Sequence, residues 1–113
     1  MGMILYIIAT ILWIVLTPIN WLIVSFKHGL SNAYFTETAV DIDKFGNRNF
    51  RTFLNATMRL RNGYKFGNVN ETISSALGKN QRDKTLSWFG KGICFVLDKL
   101  DKKHCEKSIN ENV

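Results

Sequence analysis

The sequence predicts a mostly α-helical protein, with a single N-terminal transmembrane helix followed by a small, mainly helical cytoplasmic domain. The first observation is charge distribution, because all 15 Lys and Arg and all 9 Asp and Glu residues lie at or after Lys27. The second is the recurrence of apolar residues three and four positions apart in the charged remainder. We therefore divide the chain into a transmembrane anchor, residues 1–27, and a basic domain, residues 28–113.

The anchor is an apolar stretch, residues 3–26, in which 14 residues are Ile, Leu, Val or Phe. As a helix it would be about 36 Å long, enough to cross a hydrocarbon core of about 30 Å. Its apolar side chains favour insertion by about 4–8 kcal/mol, more than the roughly 3 kcal/mol that Pro18 costs a helix. We expect one kinked span, and the alternative is a break at Pro18 that makes a re-entrant or interfacial segment.

The flanks of this stretch predict its orientation. No Lys or Arg precedes it, whereas Lys27 follows at once and further basic residues come after. Positive charge stays on the cytoplasmic side of a bacterial inner membrane. We therefore expect the N-terminus outside and the C-terminal domain in the cytoplasm; location in a host cell inner membrane is implied only by the resemblance described below.

The first part of the basic domain has one ambiguous and one clear element. Residues 30–45 are a mixed segment, in which residues 39–43 fit either a short alternating strand or the end of a helix begun near Asn32. A turn at Gly46-Asn47 follows. Residues 48–60 predict a basic amphipathic helix ended by Asn62-Gly63. Its predicted core stripe consists of Phe50, Phe53, Leu54, Thr57 and Met58.

Two further helices are predicted toward the C-terminus. The first is capped by Asn70, has Glu71 at its positive end and stops at Gly78. The second covers residues 86–100 and is capped by Thr85. Its predicted apolar stripe consists of Leu86, Phe89, Ile93, Val96, Leu97 and Leu100.

The chain carries no motif that predicts enzyme activity, a cofactor or a metal site. Asp41 and Asp43 open like a calcium loop, but the later ligand positions hold Phe45 and Thr52. Cys94, His104 and Cys105 match no common zinc spacing. We expect a protein that acts by binding and not by catalysis.

The basic stretch after the anchor is the best functional feature of the sequence. One interpretation is contact with anionic lipid at the membrane surface. A second is nucleic acid, which is less favoured because Phe50 and Phe53 fall on the predicted core stripe and not beside the arginines. A third is that the charge serves topology alone. The residues predicted to contact the membrane surface are Lys27, Lys44, Arg48, Arg51, Arg59, Arg61 and Lys65.

The C-terminal half resembles a group of small tailed-bacteriophage proteins that have no assigned activity. The shared residues are NETISSALGKN at 70–80, TLS at 85–87, LDKLD at 97–101 and HC at 104–105. The resemblance implies a viral origin and a bacterial host. It implies no catalytic or binding residue.

The functional hypothesis is a phage-encoded, single-span inner-membrane protein whose basic domain binds a host or viral protein at the membrane surface. One alternative is a holin-like protein that permeabilises the membrane, because a short span with a basic tail suits that role. Another is a component of the virion or its ejection apparatus. Self-association of the chain is left open.

Overall fold

The computed structural model describes residues 1–28 and 32–113, and over those two ranges the regular secondary structure is helical, with no β-strand. The chain divides into two compact units, Met1–Thr36 and Glu37–Val113. The predicted fold class is confirmed, since one long apolar N-terminal helix precedes several shorter ones. The helices are α1 (Gly2–His28), α2 (Asn32–Asn49), α3 (Arg51–Thr57), α4 (Ile73–Arg82), α5 (Trp88–Leu100) and α6 (His104–Ser108).

Helix α1 is long and apolar enough to span a membrane. It runs continuously through Pro18, so the alternative with two separate half-helices is not what the structure contains. No residue of its most apolar 18-residue window is buried within the protein. A helix of 27 residues that is apolar on all sides, and whose most apolar window is exposed, fits a lipid surrounding.

Four polar side chains within α1 are hydrogen-bonded inside the first unit. The hydroxyls of Thr10, Thr17 and Ser25 each donate to the carbonyl four residues earlier, at 2.8, 2.5 and 2.9 Å. The Asn20 amide donates to the Tyr34 hydroxyl at 3.2 Å. These bonds lower the cost of placing the four side chains in an apolar medium.

The second unit is built around a small buried core. Its fully buried members come from α3 through α6 and the segments between them. They are Leu54, Met58, Phe66, Ala76, Leu77, Leu86, Cys94 and Cys105. Half-buried Tyr64, Ile73, Ile93 and Leu97 pack around them.

Helix α2 resolves residues 39–43 as helix and continues through the predicted turn, whereas residues 30 and 31 of the ambiguous segment lie outside the described residues. Gly46 and Asn47 lie inside α2, so the turn prediction was wrong. Tertiary contacts outweigh local propensity here, because Gly46 lies against Ile73 and the Asn47 side chain is completely buried. The Asp43 carboxylate accepts the Ile73 main-chain N–H at 2.8 Å.

The predicted amphipathic helix at residues 48–60 is broken. Helix α2 ends at Asn49 and α3 begins at Arg51, with Phe50 between them. Phe50 and Phe53 are exposed by 54% and 55%, so their assignment to the core was wrong. Only Leu54 and Met58 of the predicted stripe are buried, because the short α3 covers the core with a single strip of its surface.

Helix α4 starts later and ends later than predicted. Its N-cap is Thr72, whose hydroxyl accepts the Ser75 N–H at 3.0 Å. Gly78 lies inside the helix and not at its end. A Cβ on Gly78 would lie 2.1 Å from the Cys105 carbonyl oxygen, so glycine is needed here for the close approach of α6.

Helix α5 begins at Trp88 after the N-cap Ser87, and not after Thr85. Leu86 is buried, and Ile93 and Leu97 are half-buried, as predicted. The other predicted stripe residues, Phe89, Val96 and Leu100, are exposed. The helix is therefore rotated, and its most buried side carries Gly90 and Cys94.

Candidate functional site

The segment between α3 and α4 is irregular, and asparagine side chains fix its main chain. Asn47, on α2, donates to the carbonyls of Asn68 and Glu71 at 3.1 and 2.9 Å. Its Oδ1 accepts the Gly67 N–H at 3.1 Å. One buried amide thus fastens three points of the segment to α2.

Two more asparagines bind this segment as a neighbouring strand would. The Asn55 amide accepts from the Phe66 N–H at 2.7 Å and donates to the Phe66 carbonyl at 3.0 Å. Asn80 does the same with Tyr64, at 2.8 and 2.9 Å. The main chain of residues 64–66 is therefore held by one side chain from α3 and one from α4.

Basic residues of α2, α3 and this segment, from Arg48 to Lys65 in sequence, form the set that we call the basic ridge. Arg48 Nη1 lies 3.5 Å from the Gly67 carbonyl, and Arg51 Nη1 donates to the Arg48 carbonyl at 2.8 Å. The stem of Arg51 packs on Gly67, whose φ of +125° favours glycine. The basic ridge consists of Arg48, Arg51, Arg59, Arg61 and Lys65.

Arg59 differs from the other members because its guanidinium group makes several hydrogen bonds to the turn that follows α3. Its Nε donates to Asn55 Oδ1 at 3.1 Å. Its Nη1 donates to the carbonyls of Leu60, Arg61 and Gly63 at 3.3, 2.9 and 3.1 Å. The residue shapes the ridge as well as adding charge to it.

The cations of the basic ridge have no carboxylate partner within residues 1–28 and 32–113. The ion pairs in those ranges involve Lys79, Arg82, His104 and Lys107 instead. Lys44, on α2, is likewise outside every ion pair there. Lys27 ends the charge-free stretch in the first unit. An unneutralised cluster of this kind attracts anionic surfaces.

A buried polar network lies next to the segment. Lys79 Nζ lies 2.6 Å from Glu71 Oε2, and the Ser75 hydroxyl donates to the same oxygen at 2.8 Å. The Tyr64 hydroxyl donates to Glu71 Oε1 at 2.8 Å. Burial lowers the pKa of Lys79, but the bonds to Glu71 and Tyr64 outweigh it and raise that pKa above its ordinary value. Burial and the bond to Glu71 raise the pKa of Tyr64.

Two buried thiols join α5 and α6. Cys94 and Cys105 are free and hydrogen-bonded to each other, which lowers the pKa of Cys94 and raises that of Cys105. His104 lies beside them on the chain but bonds to Asp101 and Ser74. The structure, over its two described ranges, contains no group of three His, Cys, Asp or Glu side chains that could hold a metal ion.

The main residues that sequence reasoning missed are the three asparagines and the Glu71–Lys79 pair. Glu71 was interpreted as a helix-dipole residue, but its side chain is fully buried. Lone asparagines carry no periodic signal, so their long-range bonds could not be found from spacing. The exposure of Phe50 and Phe53 also removes the reason given against nucleic acid, namely that these rings belong to the core.

A geometric argument against base stacking beside the arginines remains, and it concerns the positions of the rings around the helix. At about 100° per residue, Phe53 lies about 160° from Arg51 around α3, so rings and guanidinium groups do not interleave there.

Comparison of the chain with family models, curated proteins and solved structures finds no match.

Proposed function

We propose that this chain is a phage-encoded, single-span protein of the host inner membrane that holds a basic helical domain at the cytoplasmic surface. There the domain binds a host or viral protein while its cations lie against anionic lipid. The observation that carries the proposal is α1, a long apolar helix whose most apolar 18-residue window has no buried residue. The viral origin rests on the resemblance of residues 70–105 to phage proteins.

The internal bonds of α1 support a full span. Thr10, Thr17 and Ser25 donate to α1 carbonyls, and Asn20 donates to Tyr34. A bilayer core offers no water to such groups, so satisfied side chains are what a spanning helix requires.

The ordered second unit favours the hypothesis of a membrane-held binding domain over the hypothesis of a holin-like protein that permeabilises the membrane. It has its own core, and every buried side-chain nitrogen or oxygen of the described residues has a hydrogen-bond partner. A protein that acts only by disrupting the bilayer would gain little from such an ordered domain. The unpaired basic ridge gives this domain a surface suited to anionic lipid headgroups, each nearby cation contributing about 1 kcal/mol.

The span is tested by washing membranes of bacterial cells that express the full chain with alkaline carbonate. We expect the protein to stay in the membrane pellet, since the wash removes proteins held only by charge. Its release into the supernatant would contradict the proposal.

Contact of the ridge with lipid is tested with a nitroxide label on an Asn62→Cys variant of the full chain. Asn62 is exposed and lies between Arg61 and Lys65 in sequence. In vesicles containing phosphatidylglycerol we expect the label to approach the headgroups, and in pure phosphatidylcholine to stay in water. The same label on an Arg48→Gln/Arg51→Gln background should show a smaller difference, since two of the five ridge cations are removed. Equal depth in both vesicle types would exclude the electrostatic contact.

A further inference from the structure

Helix α5 turns a broad apolar face away from the core. Gly90 and Cys94 form its buried side, and Trp88 opposite them is 84% exposed. At about 100° per residue, the exposed apolar residues cover an arc of about 140°. We call this surface the α5 outer face, and its large residues are Trp88, Phe89, Phe95, Val96 and Leu100.

Lysines accompany the apolar residues of the α5 outer face. Lys99 Nζ lies 4.8 Å above the Phe95 ring, where the cation is attracted to the aromatic face. Lys91 is exposed one helical turn before Phe95. Exposed Trp and Phe side chains bordered by lysines are the composition of helices that lie in the membrane interface. Lysine stems there cover apolar surface while their ammonium groups reach the headgroups.

A groove of about 380 Å³ adjoins the α5 outer face at Phe95. Asp98 is the carboxylate that lines it, and both of its oxygens are engaged, accepting the Cys105 N–H at 3.1 Å and the Gln81 amide at 3.3 Å. Lys84 and Lys91 have no ion-pair partner among residues 1–28 and 32–113. The groove is lined by Gln81, Lys84, Leu86, Lys91, Phe95 and Asp98.

Lys84 has a backbone conformation that glycine and asparagine adopt more easily than lysine does. Its φ is +60°, in the left-handed region that Gly and Asn adopt at lower free energy than lysine. The chain thus places a lysine at the groove where the backbone prefers Gly or Asn. This is consistent with a role for the ammonium group.

We propose that the α5 outer face and its groove bind an anionic phospholipid of the same bilayer that α1 spans. The phosphate lies between Lys84 and Lys91, and the upper acyl chain contacts Trp88, Phe95 and Val96. This inference rests on the proposed function, because it requires α1 to be in the membrane. It goes beyond that function by assigning a second lipid contact, on residues separate from the basic ridge.

The proposal is tested on the full chain, reconstituted into vesicles with brominated acyl chains, which quench tryptophan at contact distance. A Trp13→Phe/Trp21→Phe variant leaves Trp88 as the only tryptophan. In vesicles of phosphatidylcholine and phosphatidylglycerol we expect blue-shifted, strongly quenched Trp88 emission. Water-like emission without quenching would overturn the inference. Blue-shifted emission without quenching would also overturn it, since Trp88 would then be covered by protein, such as a second copy of the chain.

A second variant separates this inference from the proposed function. Trp21→Phe/Trp88→Phe retains only Trp13, inside α1. If Trp13 is quenched and Trp88 is not, the span stands and the α5 contact fails. If Trp13 is not quenched either, the proposed function fails as well.

The role of the groove is tested by removing its charges in the Trp88-only protein. Lys84→Asn suits the left-handed backbone, and Lys91→Gln keeps the length of an exposed side chain. Each change should lower the ratio of lipid-bound to free Trp88 in anionic vesicles about fivefold. Lys102→Gln, an exposed lysine outside the groove, is the matched control and should change it less. Equal effects of all three would show that net charge, and not the groove, drives the contact.

Discussion

Glu71 and Lys79 form an ion pair whose oxygen and nitrogen are 2.6 Å apart, with side-chain exposures of only 0% and 4%. Each partner has further bonds, to Tyr64 and Ser75 on the Glu71 side and to Tyr64 and the Val113 main-chain oxygen on the Lys79 side. The network therefore ties the irregular segment before α4 to α4 itself and to the C-terminal residues.

Lys79→Met should destabilise the second unit by about 3–5 kcal/mol, because Glu71 would remain buried without its counter-charge. Hydrogen exchange of peptides from α4 in the full chain, in detergent micelles, measures this as lost protection. Lys107→Met is the matched control, since it breaks the exposed pair with Asp101 and should cost less than about 1 kcal/mol. Equal losses in the two variants would contradict the importance of the buried network.

Alkaline pH should weaken the same network. The folded state raises the pKa of Tyr64 and of Lys79 above their ordinary values of 10.0 and 10.5. Raised pKa values add stability that is present below the unfolded values and is lost as pH rises through the folded ones. Thermal unfolding of the second unit should therefore occur at lower temperature once the pH passes about 10. A Tyr64→Phe/Lys79→Met variant should lack this part of the pH dependence, and an unchanged profile would refute the assignment.

Two glycines that lie inside helices should respond in opposite directions to alanine. At Gly78 a Cβ would lie 2.1 Å from the Cys105 carbonyl oxygen, so Gly78→Ala should cost about 1–3 kcal/mol through overpacking of α4 against α6. At Gly92 nothing lies within 4 Å, so Gly92→Ala should stabilise α5 by up to about 1 kcal/mol. Thermal unfolding followed by circular dichroism compares them. A stabilised Gly78→Ala protein would show that α6 does not pack as described.

Substitution of Asn47 measures how much one side chain contributes to the order of the irregular segment between α3 and α4. Asn47→Ala removes three hydrogen bonds and leaves the Gly67 N–H without its acceptor, which should cost about 1–3 kcal/mol. We expect faster hydrogen exchange for the segment before α4. Asn62→Ala, at an exposed asparagine, should leave exchange unchanged. Unchanged exchange in both variants would mean that the other asparagines hold the segment alone.

Features that depend on local composition could be predicted from the sequence, and features that depend on long-range contacts could not. Helix α1 and the helical nature of the basic domain follow from the charge-free run and the apolar periodicity. The turn at Gly46-Asn47 and the stop at Gly78 were mistaken, because the buried Asn47 side chain and the close approach at Gly78 both depend on residues far along the chain. The core position of Phe53 was mistaken because periodicity marks an apolar stripe without saying what covers it. Phe53 is exposed although Leu54 and Met58 of the same stripe are buried, so only part of that stripe packs on the core.

The orientation of the chain can be measured with a single introduced cysteine, because both native thiols are buried. Cys94 and Cys105 are buried, so a membrane-impermeant maleimide should not reach them in the folded protein on either side of the membrane. Asn112→Cys places a thiol at an exposed position near the C-terminus. In intact bacterial cells we expect no labelling of this variant, and labelling after the inner membrane is opened, because basic flanks remain cytoplasmic. The unsubstituted chain is the control for native thiols. Labelling of Asn112→Cys in cells with only the outer membrane permeabilised would place the domain on the opposite side, where the basic ridge and the groove would meet the outer leaflet.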